Sequence, residues 1–259
     1  MDSIDLIQNA ERFKTGYSEK FSHTSDIVNN DSSRKIISKW NYLKGTLEEV
    51  NIIKSIFEKE NIKVDIYEGY DATEESFKSL SGVNSPALLH ISTHGFFFPE
   101  VEKKNIKPEL FNMAGQYKFK MSENPLMRSG LILAGANWVW SGGQEIEGVE
   151  NGILTAYEVS NMNLQNTELV VLSACETGLG EIKGNEGVYG LQRAFKVAGA
   201  KTIIMSLWKV PDKETVELME LFYTNWLNGM TKHDAFTNAQ KEMRKKYPPY
   251  IWSAFVMME

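Results

Sequence analysis

The sequence predicts an α/β fold: a mainly parallel central sheet with helices on both faces. Short, mostly apolar runs within residues 87–94, 169–173 and 202–208 read as buried strands. Segments of 3.6-residue apolar periodicity separate them. Strand and helix signals therefore alternate along the chain, as they do when crossover helices link parallel strands.

Residues 1–40 are polar and mixed, with Asn29 to Ser33 as a loop, and are read as an N-terminal segment left over from a longer chain. Residues 41–259 are read as one domain. Thr46 and Glu49 form a capping box for a helix that carries Leu47, Val50, Ile53, Ile56 and Phe57 on one face through about Asn61. Residues 63–67 alternate as a strand, and a short helix over 71–80 opens at Asp71 with Glu74 three positions later. The next strand, residues 87–94, runs straight into His94-Gly95.

Residues 96–127 lose all periodicity and read as an insertion or long loop beside the candidate site. Gly130 to Ala134 is a strand, residues 138–152 a loop with two tryptophans, and 155–161 a short helix. The strand 169–173 then breaks through Ala174 into Cys175, with Gly178 and Gly180 just beyond. Residues 185–195 form a helix that Gly199 terminates. Residues 202–208 are a strand, 213–226 a helix stopped by Gly229, 234–246 a last amphipathic helix, and 253–258 a closing strand after Pro248-Pro249.

Composition narrows the function. The chain has 259 residues, 42% hydrophobic and 24% charged, which suits one large soluble domain. A net charge of −6 argues against a general binder of nucleic acid or anionic membrane. A single cysteine permits no internal disulfide, which fits a reducing cytoplasm and a reactive thiol. No apolar run approaches the roughly 20 residues of a membrane span.

Two strand ends carry the chemistry. Side chains at the carboxyl end of a strand in an open α/β sheet emerge into a crevice, so Cys175 is a candidate nucleophile and His94 its partner. Free cysteine is also a common buried hydrophobe, and position alone leaves both readings open. Gly95, lacking a Cβ, lets its N–H approach a carbonyl oxygen. His90, four residues before His94, is read as a core histidine bonded to backbone rather than as a metal ligand, and His23 and His233 as surface residues. Glu181 stands where a cysteine phosphatase needs arginine, and Gly178, Gly180 and Gly184 miss the dinucleotide fingerprint. No metal or cofactor is expected.

The ordered segments His90 to Gly95, Gly130 to Ala134, Gly152 to Ala156, Leu172 to Gly178, Glu186 to Leu191, Ala194-Phe195, Ala198 to Ala200 and Ser206 to Val210 resemble the CHAT peptidases. These are caspase-like proteins commonly joined to tetratricopeptide repeats. The resemblance implies a caspase-like three-layer sandwich and a cysteine endopeptidase, with Cys175 as nucleophile, His94 as general acid/base, and the N–H groups of Gly95 and Cys175 as the oxyanion hole. It names no third catalytic residue. A protein substrate and control by a repeat module or regulatory protein follow from it, as does a role in bacterial defence by analogy.

The stretch from Ser206 to Asp212 also resembles the substrate pocket of separase, which implies contacts from Trp208, Lys209 and Asp212 and a basic residue before the cut. A competing reading makes Asp212 only the N-cap of its helix. Asn185 stands where the family often has Gly and Pro211 where it often has Asp. The alternative function is a scaffolding or protein-interaction domain of the same fold with little activity.

Overall fold

The structure, a computed structural model, describes residues 39–98, 118–120, 122–173 and 187–259. The chain divides between Ser38 and Lys39, and every described element lies in Lys39–Glu259. Leu88–Ile91 (β1), Leu169–Leu172 (β5), Thr202–Ser206 (β6) and Phe255–Met258 (β7) form a sheet in the order β1-β5-β6-β7. The first two pairings are parallel and the last antiparallel. His94–Phe97 (β2), Ser129–Ile132 (β3) and Ile153–Thr155 (β4) form a second, antiparallel sheet.

The helices are Lys44–Lys59 (α1), Glu74–Lys78 (α2), Ala136–Trp140 (α3), Ala156–Ser160 (α4), Gly187–Ala198 (α5), Asp212–Leu227 (α6), Lys232–Arg244 (α7) and Pro249–Trp252 (α8). On one face of the main sheet, Ile53 and Phe57 of α1, Leu218 and Phe222 of α6 and Phe236 of α7 pack on Leu169, Val171 and Ile204. On the other, Val159 of α4 and Leu191 and Phe195 of α5 pack on Ile91, Val170, Leu172 and Ile203, joined by Leu131 and Leu154 of the second sheet. The β5 side chains alternate between the two cores, as a strand buried on both faces requires. Each such burial contributes about 1.5–3 kcal/mol, against roughly 0–1 for an exposed ion pair, so apolar packing holds the three layers together. Among the described residues no helix is long and apolar enough to cross a membrane.

Several expectations need correction. Residues 63–67 lie extended with no strand partner among the described residues. Their alternation arises because Val64 rests on the core while Lys63 and Asp65 pair in solvent. The strand expected over Gly130 to Ala134 is Ser129–Ile132, antiparallel and outside the main sheet. Its glycine is required, because a Cβ at Gly130 would collide with the Leu154 carbonyl and the Phe96 ring. Residues 136–140 are helical rather than loop, and α8 intervenes before the closing strand. Most of the expected loop over 96–127 lies outside the described residues.

Helix starts also differ. Thr73, not Asp71, caps α2 through its hydroxyl. The Thr46 box does not form, since α1 starts at Lys44, Thr46 donates to the Leu43 carbonyl at 2.7 Å, and Glu49 turns into the core. The N–H of Gly45 donates instead to the Asp212 carboxylate at 3.2 Å. Asp212 is therefore not the N-cap of its own helix, whose N-cap is Pro211; it supplies the cap of α1 from across the fold.

Helix α2 pins the turn before β4. Glu74 is 1% exposed, accepts from the Gly152 N–H at 3.0 Å and pairs with the Lys78 ammonium at 2.6 Å. Lys78 also meets Glu150 at 2.9 Å and Glu158 at 3.0 Å. Burial pushes the Glu74 carboxyl up to about 7, against the downward pull of the Lys78 hydrogen bond. A raised carboxylate contributes least stability above its folded pKa, so this cluster depends most on its lysine at alkaline pH. Lys78→Met is expected to cost about 3–5 kcal/mol at pH 8. In urea unfolding the deficit should shrink as pH falls from 8 to 5 and Glu74 takes up a proton; an equal deficit at both pH values would contradict this assignment.

Candidate active site

Strands β1 and β5 lie side by side in parallel register, with Ile91 opposite Leu172. The pairing continues one step beyond the strands, where the Ser173 N–H donates to the Ile91 carbonyl at 2.9 Å. In sequence, His94 follows Ile91 by three positions and Cys175 follows Leu172 by three. Cys175 itself, with residues 174–186, lies outside the described residues.

The expected continuous strand through His94 is broken. Ser92 and Thr93 leave the main sheet, Thr93 Oγ1 donates to the Ile132 carbonyl at 2.5 Å, and His94 opens β2 in the second sheet. Side-chain hydroxyls of serine and threonine compete with the ladder in this way without any glycine or proline to mark the break.

His94 is 8% exposed and firmly held. Its Nε2 lies 2.6 Å from the carbonyl oxygen of Asn41. A carbonyl only accepts, so Nε2 carries the hydrogen and Nδ1 is the basic nitrogen of the neutral ring. The Trp40 ring packs against the imidazole with centroids 5.0 Å apart, and Trp140 closes on Trp40 at 5.1 Å. Asn137 of α3 clamps the Trp40 backbone at both ends: its Oδ1 accepts from the Trp40 N–H at 2.8 Å and its Nδ2 donates to the Trp40 carbonyl at 2.9 Å. A side-chain amide thus fixes the peptide whose neighbouring carbonyl orients the histidine. Sequence reasoning missed Trp40, Asn41 and Asn137, because a backbone acceptor leaves no residue signature.

Gly95 is buried next to His94 and pairs with Leu131. The Phe98 N–H donates to the Arg128 carbonyl at 2.7 Å. Hydrogen-bonded positions alternate in an antiparallel pair, so those of β2 are Phe96 and His94, and the Gly95 N–H points away from β3. It faces the side of β2 that carries no strand among the described residues.

Behind the rim lies a buried polar network. Glu49 of α1, 3% exposed, accepts from Ser92 Oγ at 2.6 Å and Ser173 Oγ at 3.0 Å on Oε2, and meets His90 Nε2 at 3.1 Å on Oε1. His90 Nδ1 lies 2.9 Å from the Tyr223 hydroxyl. Burial, and secondarily the Glu49 charge, raises Tyr223 well above the ordinary phenol range. The Glu49 carboxylate accepts from His90 Nε2–H, and a neutral His90 ring then accepts from the Tyr223 hydroxyl at Nδ1. The expectation that His90 bonds to backbone is corrected: its partners are side chains, one of them 41 positions away in sequence. His233 is exposed, as expected, and His23 lies outside the described residues.

The predicted pocket residues occupy the neighbouring loop. Trp208 stacks on Tyr250 with centroids 5.9 Å apart, and its Nε1 donates to the Tyr250 carbonyl at 2.7 Å. Tyr250 in turn donates to the carbonyl of exposed Lys209 at 2.8 Å. Asp212 reaches a cleft that it shares with Leu43, Gly45, Thr46, Glu49, Ser92, Ser173 and Thr215. Trp208 and Lys209 do not line that cleft. Glu74, Glu150 and Glu158 bring carboxylate oxygens within 4.8 Å of one another, but the Lys78 ammonium bonds to all three.

Comparison with known proteins agrees with this architecture. Tetratricopeptide repeat protein 28 of Homo sapiens is 31% identical over 109 residues, which is 41% of this chain and 4% of that protein. The protein of the same name from Mus musculus is 29% identical over 109 residues, with the same coverage. The chain thus spans about 4% of the length of the curated relatives it matches. The CHAT domain family matches residues 14–259. With that match covering nearly the whole sequence, and with a caspase-like α/β sheet beneath it, the chain belongs to the CHAT domain family, a group related to caspase-like cysteine peptidases.

Proposed function

We propose that the protein is a cysteine endopeptidase acting through Cys175 and His94. The observation that carries this reading is the 2.6 Å contact between His94 Nε2 and the Asn41 carbonyl. The ring's Nε2–H is committed to that carbonyl, so its basic nitrogen is Nδ1, on a residue three positions beyond a strand that pairs with the one leading to Cys175.

The chemistry then follows. Nδ1 of His94 takes the thiol proton, and the thiolate attacks the scissile carbonyl carbon. The N–H groups of Gly95 and Cys175 stabilise the resulting oxyanion, each such donor being worth about 10²–10³ in rate. As the tetrahedral adduct collapses, the C–N bond breaks and His94 returns the proton to the leaving amine. Water, deprotonated by the same nitrogen, hydrolyses the thioester and restores the thiol. Holding Nε2–H on a carbonyl keeps the imidazole oriented through both transfers and stabilises the cation between them.

Substrate choice is assigned to the cleft beside the rim. Asp212 gives it carboxylate character, and Ser92, Ser173, Thr46 and Thr215 add hydroxyls. A cationic side chain is the complementary ligand, so the residue before the cut is arginine or lysine, with the guanidinium displacing the Gly45 N–H from Asp212. Trp208 and Lys209 form a further contact surface for the peptide, braced by Tyr250. The matched relatives are tetratricopeptide repeat proteins, which supports a repeat-containing module as the controlling partner.

Cys175→Ala is expected to abolish hydrolysis of peptide substrates and labelling by an electrophilic peptide, and His94→Ala to lower kcat by about 10²–10⁴; cleavage that survives Cys175→Ala would reject the peptidase reading. Asn137→Ala frees the Trp40 peptide and should lower kcat by roughly tenfold or more while KM holds, because small misplacements of a catalytic group are costly; an unchanged kcat would show that the clamp is irrelevant. In a peptide library, cuts should follow Arg or Lys and shift away from them in Asp212→Asn. Cuts after aliphatic residues would refute the role given to Asp212.

A further inference from the structure

We propose that Glu49 is a positioning residue for the Cys175/His94 pair, acting through Ser92 and Ser173. The proposal rests on the peptidase reading and deepens it. Ser92 and Ser173 are the first residues beyond β1 and β5, and each lies two positions before a member of the pair. Both hydroxyls donate to the same oxygen, Glu49 Oε2, at 2.6 and 3.0 Å. One atom therefore ties the first side chains beyond the two strands to each other, alongside the Ser173 N–H bond to the Ile91 carbonyl.

The rest of the network holds that atom in place. Glu49 is buried on α1, and its other oxygen takes the His90 Nε2–H. Tyr223 of α6 bonds to His90 Nδ1 from behind. Hydrogen bonds to an ionised carboxylate are shorter and roughly twice as strong as neutral ones, and a carboxylate with several donors resists reorientation. The same helix begins three residues after Asn41, whose carbonyl holds His94, and its first turn is tied to Asp212 through Gly45. A buried acidic residue on an amphipathic helix is otherwise an expensive choice, and apolar packing alone would favour leucine there.

The test uses the full chain and the fact that it has one cysteine. Ser92→Ala, Ser173→Ala and Glu49→Gln are compared with wild type for unfolding midpoint, for kcat and KM on a peptide substrate, and for the pH dependence of alkylation by iodoacetamide. The serine variants each remove one hydroxyl and leave the Glu49 side chain in place, so they serve even where Glu49→Gln does not. Positioning predicts a kcat lowered about tenfold or more at unchanged KM. It also predicts an alkylation profile moved toward that of an ordinary thiol near pH 8.5. A purely structural role would lower the unfolding midpoint and leave the alkylation profile where it was, which overturns the proposal. Should wild type show turnover and an alkylation step removed by His94→Ala while the serine variants match it, positioning alone fails. Should wild type show neither, the peptidase reading and the positioning role fall together.

Discussion

The parallel pairing of β1 with β5 is the constraint on which the site depends. Parallel strands end at a common rim, and here Ile91 and Leu172 stand opposite each other at the last rung. Whatever follows each strand by equal numbers of residues starts from the same place. Main-chain hydrogen bonds set this register, and it is locked because the side chains of β5 alternate between two separate cores. A slip by one residue would drive Val170 and Leu172 into the wrong layer and carry both candidate residues out of step.

On this frame α1 works as a clasp at three levels. The peptide just before it presents the Asn41 carbonyl to His94, its first turn receives Asp212, and its second turn delivers Glu49 to the two serines. Gly45 is required for the middle contact, since a Cβ there would collide with the Asp212 carboxyl. The helix buries Ile53 and Phe57 against the sheet, so its polar contacts are held by apolar packing rather than by their own strength.

Much of this was legible in the sequence. The strands around Leu89, Val170 and Ile203 announce themselves by composition. The misses have physical causes. Residues 63–67 alternate because an extended chain lying on a surface exposes every second side chain, whether or not it is paired. The break at Ser92-Thr93 carries no turn residue, because hydroxyls rather than glycine end the strand. Asn41 acts through its carbonyl and Asn137 through contact with a backbone 97 positions away, neither of which composition can encode. Glu49 looked like half of a capping box, since the same Thr-x-x-Glu spacing suits a helix start and a carboxylate aimed at the core. His90 was placed correctly in the interior, but its partners come from α1 and α6, which only the fold brings together.

The most direct measurement is a crystal structure of the protein trapped with an electrophilic peptide ending in arginine. The account predicts a covalent bond from Cys175 Sγ, the adduct oxygen on the Gly95 N–H, and His94 Nδ1 within hydrogen-bond reach of the leaving-group position while Nε2 stays on Asn41. An adduct with the His94 ring turned away from the sulfur, or with the oxygen held by groups other than the Gly95 and Cys175 amides, would contradict it.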